Sequence, residues 1–281
     1  MYTTTIQSIR LSRQIFKNAP KSLNDLFAMG LLACLLAMTG CQKQPAQTAQ
    51  GVDLGDAKAA SAKVAEADKL YGERQDLDRV RQAVALLRQA RIEDYGSFEA
   101  AWKLARAAYY LGDHATDERE QENAFREGEE AGKAAIKLED GKPEGHFWLG
   151  ANYGGSAKHS TLAGLATVED IRHEMDTVLK LDEGFQSGSA YMVLGQLYLQ
   201  APRMLGGDIE KAIGYLEKGL KFGPNNALLR LRLAEAHHAA KRDSDARKQI
   251  EYIMSMKIDP EYAAEYNEAV DQAKKLQAQM N

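Results

Sequence analysis

The chain has 281 residues, 44% apolar, 27% charged and 7% aromatic, a composition with enough apolar side chains for a core. Two cysteines and six prolines exclude a disulfide scaffold, a cysteine-rich zinc ribbon and a collagen-like chain. A formal charge of −4 argues against non-specific nucleic-acid binding, which needs a basic face. Ala, Leu, Glu, Lys, Arg and Gln dominate, and these good helix formers predict an all-α fold.

Residues 1–40 read as an export signal. Arg10, Arg13, Lys17 and Lys21 precede an apolar run from Leu26 to Met38 that only Gly30 interrupts. That run is shorter than the ~20 residues a membrane span needs, and it has the length of a signal h-region. It ends in Met38-Thr39-Gly40-Cys41, which resembles a bacterial lipobox. The resemblance implies cleavage before Cys41 and diacylglycerol on its thiol. The alternative is an ordinary secretory signal with an incidental cysteine, and both readings export the chain. Cleavage removes four basic residues and one acidic residue, so the formal charge moves from −4 to −7. It also removes Cys34, which leaves no cysteine pair, so the exported fold rests on its core. Gln42 after the anchor cysteine resembles an outer-membrane sorting signal. Residues 41–57, rich in Gln, Ala and Gly, read as a lipidated flexible tether.

Residues 58–281 carry a repeating helical pattern. Its clearest unit joins Tyr191, Leu194, Gly195 and Tyr198 to Ala212, Leu216, Gly219 and Pro224. With five residues inserted in the turn, this resembles the tetratricopeptide repeat, a helical hairpin. Gly195 and Ala212 are expected to meet where the two helices approach, with Leu194, Tyr198 and Leu216 filling the space between them. The next unit uses Leu233, Ala234, His237, Ala246, Ile250 and Ile253. Upstream, His146, Leu149, Gly150 and Tyr153 precede Ile171, Met175 and Val178, with the helix expected to start after Thr167. Ala101, Leu104, Ala105 and Ala108 pair with Gly128, Gly132 and Ala135, and a degenerate first unit uses Leu70, Tyr71, Ala83, Leu87 and Ala90. Asp208 and Asp243-Ser244-Asp245 are expected helix starts. The prediction is an all-α solenoid of about five hairpins, with residues 260–279 supplying a terminal capping helix.

Three segments are more specific: Pro202-Arg203-Met204-Leu205-Gly206-Gly207-Asp208, His146-Phe147-Trp148-Leu149-Gly150-Ala151-Asn152-Tyr153, and Glu261-Tyr262-Ala263-Ala264-Glu265-Tyr266-Asn267. Together they resemble the T component of TRAP (tripartite ATP-independent periplasmic) transporters, over roughly residues 95–280. The resemblance implies a periplasmic lipoprotein that associates with a substrate-binding protein. Residues Phe98 to Ala107 also resemble the first repeat of the regulator-of-microtubule-dynamics family, which reads as shared repeat ancestry. Tyr153 stands where the T component tends to carry a second tryptophan.

No reaction chemistry emerges. His114, His146, His159, His173, His237 and His238 offer no H-E-x-x-H spacing, and Ser156-Ala157-Lys158 is one residue short of S-x-x-K. No enzymatic activity, metal or cofactor is expected. The candidate site is a surface instead. Groove positions of the first helices place Trp102, Arg106, Tyr109 and Tyr110 together, with Phe147, Met192 and Gln196 from later units. An arginine among aromatic rings has the composition of a recognition hot spot, suited to a carboxylate with an apolar stem. The competing reading packs Trp102 and Tyr109 between hairpins. The function expected is a lipid-anchored partner of a TRAP-type uptake system that holds its substrate-binding protein or a small, partly apolar ligand. The alternative is a scaffold lipoprotein for a secretion, pilus or wall-synthesis assembly, and a homo-oligomer is compatible with either.

Overall fold

Alternating helix starts and stops organise the body into five hairpins and a final helix. The computed structural model describes residues 54–157, 163–258 and 262–280; the export signal, Cys41 and residues 42–53 of the tether lie outside the described residues. Among those described there are eleven α-helices. They are α1 (Leu54–Gly72), α2 (Leu77–Glu93), α3 (Phe98–His114), α4 (Glu118–Leu138), α5 (Pro143–Ala157), α6 (Ala163–Leu181), α7 (Phe185–Gln200), α8 (Ile209–Gly219), α9 (Ala227–Ala239), α10 (Asp243–Ser255) and α11 (Ala263–Gln279). Helix α1 thus begins inside the stretch read as tether.

Short polar side chains set five of the helix starts. Asp76, Ser97, Asp117, Asp208 and Asn226 each accept a hydrogen bond from a backbone N–H two or three residues on, at 2.9–3.2 Å. These bonds satisfy donors that the first helical turn leaves without partners. Asp243 and Asp245 bring negative charge to the first turn of α10, as expected. The start of α6 differs from expectation. The helix begins at Ala163, so Thr167 lies inside it, because the residues before Thr167 continue the helix rather than break it.

Each hairpin is zipped by small residues. Helix α3 packs on α4, α5 on α6, α7 on α8 and α9 on α10. Gly195 faces Leu216: a Cβ there would lie 2.5 Å from Leu216 Cγ, and both Leu216 and Ala212 are fully buried. The Leu205-Gly206-Gly207-Asp208 turn has its own steric logic. A Cβ on Gly207 would sit 1.8 Å from the Ala201 carbonyl oxygen, so the chain returns to α8 only through a glycine. Asp208 N–H then donates to Tyr198 O at 2.8 Å and its side chain caps α8.

Odd-numbered helices also pack on one another in order: α1 on α3, α3 on α5, α5 on α7, α7 on α9 and α9 on α11. The even-numbered helices are spread wider, and where α2 and α4 meet they do so through the long pairs Arg81–Glu120 and Arg88–Glu127, at 2.7 Å each. The odd helices therefore form the inner, concave wall and the even helices the outer one, the architecture of a tetratricopeptide superhelix.

Candidate functional site

The inner wall is richest in aromatic side chains along α1, α3 and α5. Arg106, on α3, is the centre of one cluster. Its Nη2 donates to Asp68 Oδ1 at 3.0 Å, and its guanidinium lies 4.1 Å from the Tyr71 ring centroid and 5.0 Å from that of Trp102. The expected cation between two rings is present, but the second ring is Tyr71 of the first hairpin rather than Tyr109. The carboxylate is also internal: Asp68 serves Arg106 and, through a short contact, Lys103, which also reaches Glu99. Arg106 Nε is buried without a hydrogen-bond partner.

Tyr109 belongs to a second cluster, 5.8 Å from Trp148 and 6.2 Å from Phe125 between ring centroids. Burial pushes its hydroxyl above the usual tyrosine range, with Asp113 adding to the shift and Arg232 opposing it. Trp148 is 8% exposed, and its indole N–H is buried without an acceptor. Tyr110 turns toward α1 and the end of its own helix. It meets Tyr71 edge-on at 5.9 Å and stacks on His114 at 3.9 Å. Burial, followed by the Glu265 charge, pushes its hydroxyl up to about 12.

Of the remaining expected residues, Phe147 and Trp102 touch these clusters through their rings, while Met192 and Gln196 lie apart on α7. Phe147 is 5% exposed and packs on Trp148 and Phe185, so it is a packing residue between hairpins. Met192 lies against the cluster of Ile213, Leu216 and Leu229. Gln196 is half-buried on α7. Trp102, half-buried, both packs against the core and covers Arg106. Trp102 and Tyr109 thus pack against the core, as the competing expectation has it.

Five residues absent from the sequence-based site stand beside it: Asp68, Tyr71 and Arg74 of the first hairpin, Trp148 of α5 and Glu265 of α11. Arg74 Nε and Nη2 donate to Glu265 Oε1 and Oε2 at 2.8 and 2.6 Å. This pair joins the α1–α2 turn to the last helix. Glu268, one turn further, lies 4.0 Å from His114 Nε2. The final helix therefore returns to the inner wall beside Tyr110. Among the described residues no group of three or more His, Cys, Asp or Glu is arranged to hold a metal ion. No described helix is long and apolar enough to cross a membrane.

These features define a helical-repeat protein with an aromatic and charged concave face, a class of interaction modules. A sequence profile of the TRAP transporter T-component family matches residues 79–280. The chain belongs to that family. Among solved structures, a thermophilic tetratricopeptide protein of Thermus thermophilus, TTC0263, is similar with a TM-score of 0.57 and 20% identity, covering 75% of this chain and 99% of that one. Pseudomonas aeruginosa pilF is similar with a TM-score of 0.51 and 18% identity, covering 80% of this chain and 92% of that one. At these identities the likeness concerns the fold alone. No curated protein matches the chain at a significant level.

Proposed function

We propose that this protein is a lipid-anchored, periplasm-facing component of a TRAP-type uptake system, held through Cys41 and probing its partner with the concave face. It acts by binding rather than by catalysis. The partner is the system's substrate-binding protein, and the same face suits a small, partly apolar ligand bearing a carboxylate. The observation that carries this reading is the match of the T-component family over most of the helical body. The inner wall supports it: Tyr71, Trp102, Arg106, Tyr109 and Trp148 collect large rings and a cation where hot-spot residues concentrate. Two donors there, Arg106 Nε and Trp148 Nε1, are buried without acceptors.

Isothermal titration of the full chain with a TRAP substrate-binding protein from the same genome tests the proposal. Binding that weakens on Trp102→Ala while Arg88→Ala on the outer wall leaves it intact is the expected result. Absence of binding to that protein, alongside capture by a secretion or pilus component, would favour the scaffold alternative.

A further inference from the structure

The last helix is held in two different ways on its two faces. Ala269, Ala273 and Leu276 are buried against α9 and α10, two of these three residues being only alanines. The first turn of α11 has no side-chain cap from Tyr262. Its opposite face reaches the first two hairpins through side chains. Glu265 grips Arg74, whose side chain is 9% exposed, and Glu268 lies beside His114. The geometry also orients His114. Its Nδ1 is 2.9 Å from the Tyr110 carbonyl oxygen and so donates there, leaving Nε2 turned to Glu268. Burial raises the Glu268 pKa, with Asp113 adding to the shift and His114, Arg232 and the Gln272 hydrogen bond opposing it. These groups come from α3, α9 and α11, so one carboxylate sits where three helices converge.

We propose that α11 and the first two hairpins form a clasp, in which the Glu265–Arg74 ion pair, with Glu268 set beside His114, holds the superhelix closed over the Tyr109–Trp148 part of the inner wall, and that partner segments enter when the clasp releases. Charged side chains bridge this seam, whereas successive odd helices pack directly on one another, with ion pairs added between α1 and α3. A seam held by a few charged side chains is weakened by ions and by a competing carboxylate, and it opens at less cost than a packed junction. The inference rests on the concave face being the binding surface, but its test uses no partner, so the two readings fail separately.

The chain contains two tryptophans, Trp102 and Trp148, both on the inner wall. In the full chain carrying Trp102→Phe, acrylamide quenching reads access to Trp148 behind Tyr109. Glu265→Gln is expected roughly to double the Stern–Volmer constant through local opening, with the far-ultraviolet helical signal unchanged. The charge swap Arg74→Glu with Glu265→Arg is expected to return it to the starting value. Raising salt from about 0.02 to 0.5 M shortens the screening length severalfold, and it should increase quenching in the clasped chain but not in Glu265→Gln. Equal quenching in the clasped chain and Glu265→Gln, or a folded swap that stays open, overturns the proposal. If Glu265→Gln fails to fold, the salt titration of the clasped chain decides: quenching independent of salt overturns it.

Discussion

Removing the Arg106 side chain separates a binding role from a structural one. Arg106→Ala deletes the Asp68 ion pair at 3.0 Å and two ring contacts at 4.1 and 5.0 Å. Asp68 is 38% exposed, so the ion pair contributes about 1 kcal/mol or less after solvent screening. The two cation–ring contacts add about 0.5–1 kcal/mol each. The expected loss is therefore about 2 kcal/mol, which for a helical body of this size lowers Tm by roughly 4–8 °C. Thermal denaturation followed at 222 nm reads the loss, and titration with the substrate-binding protein reads affinity in parallel. Arg106→Lys keeps the charge without the planar fork, and should fall between the two in stability. An Arg106→Ala protein that melts like the parent would refute the internal sandwich, whatever it did to binding.

Three further outcomes follow from the same geometry. Cys41→Ala should abolish co-sedimentation with membranes without changing the helical signal, since lipidation needs the thiol; persistent membrane association would remove the anchor reading. Gly195→Leu and Gly207→Ala should each destabilise by about 1–3 kcal/mol, because Leu216 and the Ala201 carbonyl leave no room for the added atoms; unchanged denaturation midpoints would contradict the steric account. Glu268 carries a raised pKa, mainly from burial, so the folded state binds its proton more tightly than the unfolded chain does. Its contribution to stability is greatest in acid and is lost as pH rises through its folded-state pKa. Glu268→Gln should flatten that part of the stability–pH curve, and a variant with the parent's slope would argue against the buried setting.

The hairpins are legible in the sequence because interhelical distance dictates residue size. Gly195, Ala212 and Leu216 occupy positions where the approach of two helices leaves little choice, and the same constraint reappears at Gly132 against Leu149. The caps at Asp208 and Asn226 are local hydrogen-bond chemistry, although only the first stands out in the sequence pattern. Thr167 misleads because a capping signature has the same letters inside a helix as at its start. The site is half legible. Period 3.6 places Trp102, Arg106 and Tyr109 on one face of α3, but it carries no information on which neighbour meets that face. Asp68 lies in a first hairpin with weak repeat signal, and Glu265 lies 191 residues from Arg74, so no pattern in the chain joins them. Repeat phase puts Phe147 in the groove, yet its ring fills the gap between Trp148 and Phe185. Degenerate repeats turn slightly from one hairpin to the next, and a ring beside another ring is buried by the neighbouring unit rather than offered to solvent.

On the proposed function the inner wall, not the outer one, engages the TRAP substrate-binding protein. Hydrogen–deuterium exchange of the full chain with and without that protein addresses it directly. Slowed exchange is expected within residues 98–114 and 143–157, on α3 and α5, with α4 unchanged. Protection confined to α2 and α4, where the Arg81–Glu120 and Arg88–Glu127 pairs lie, would contradict it.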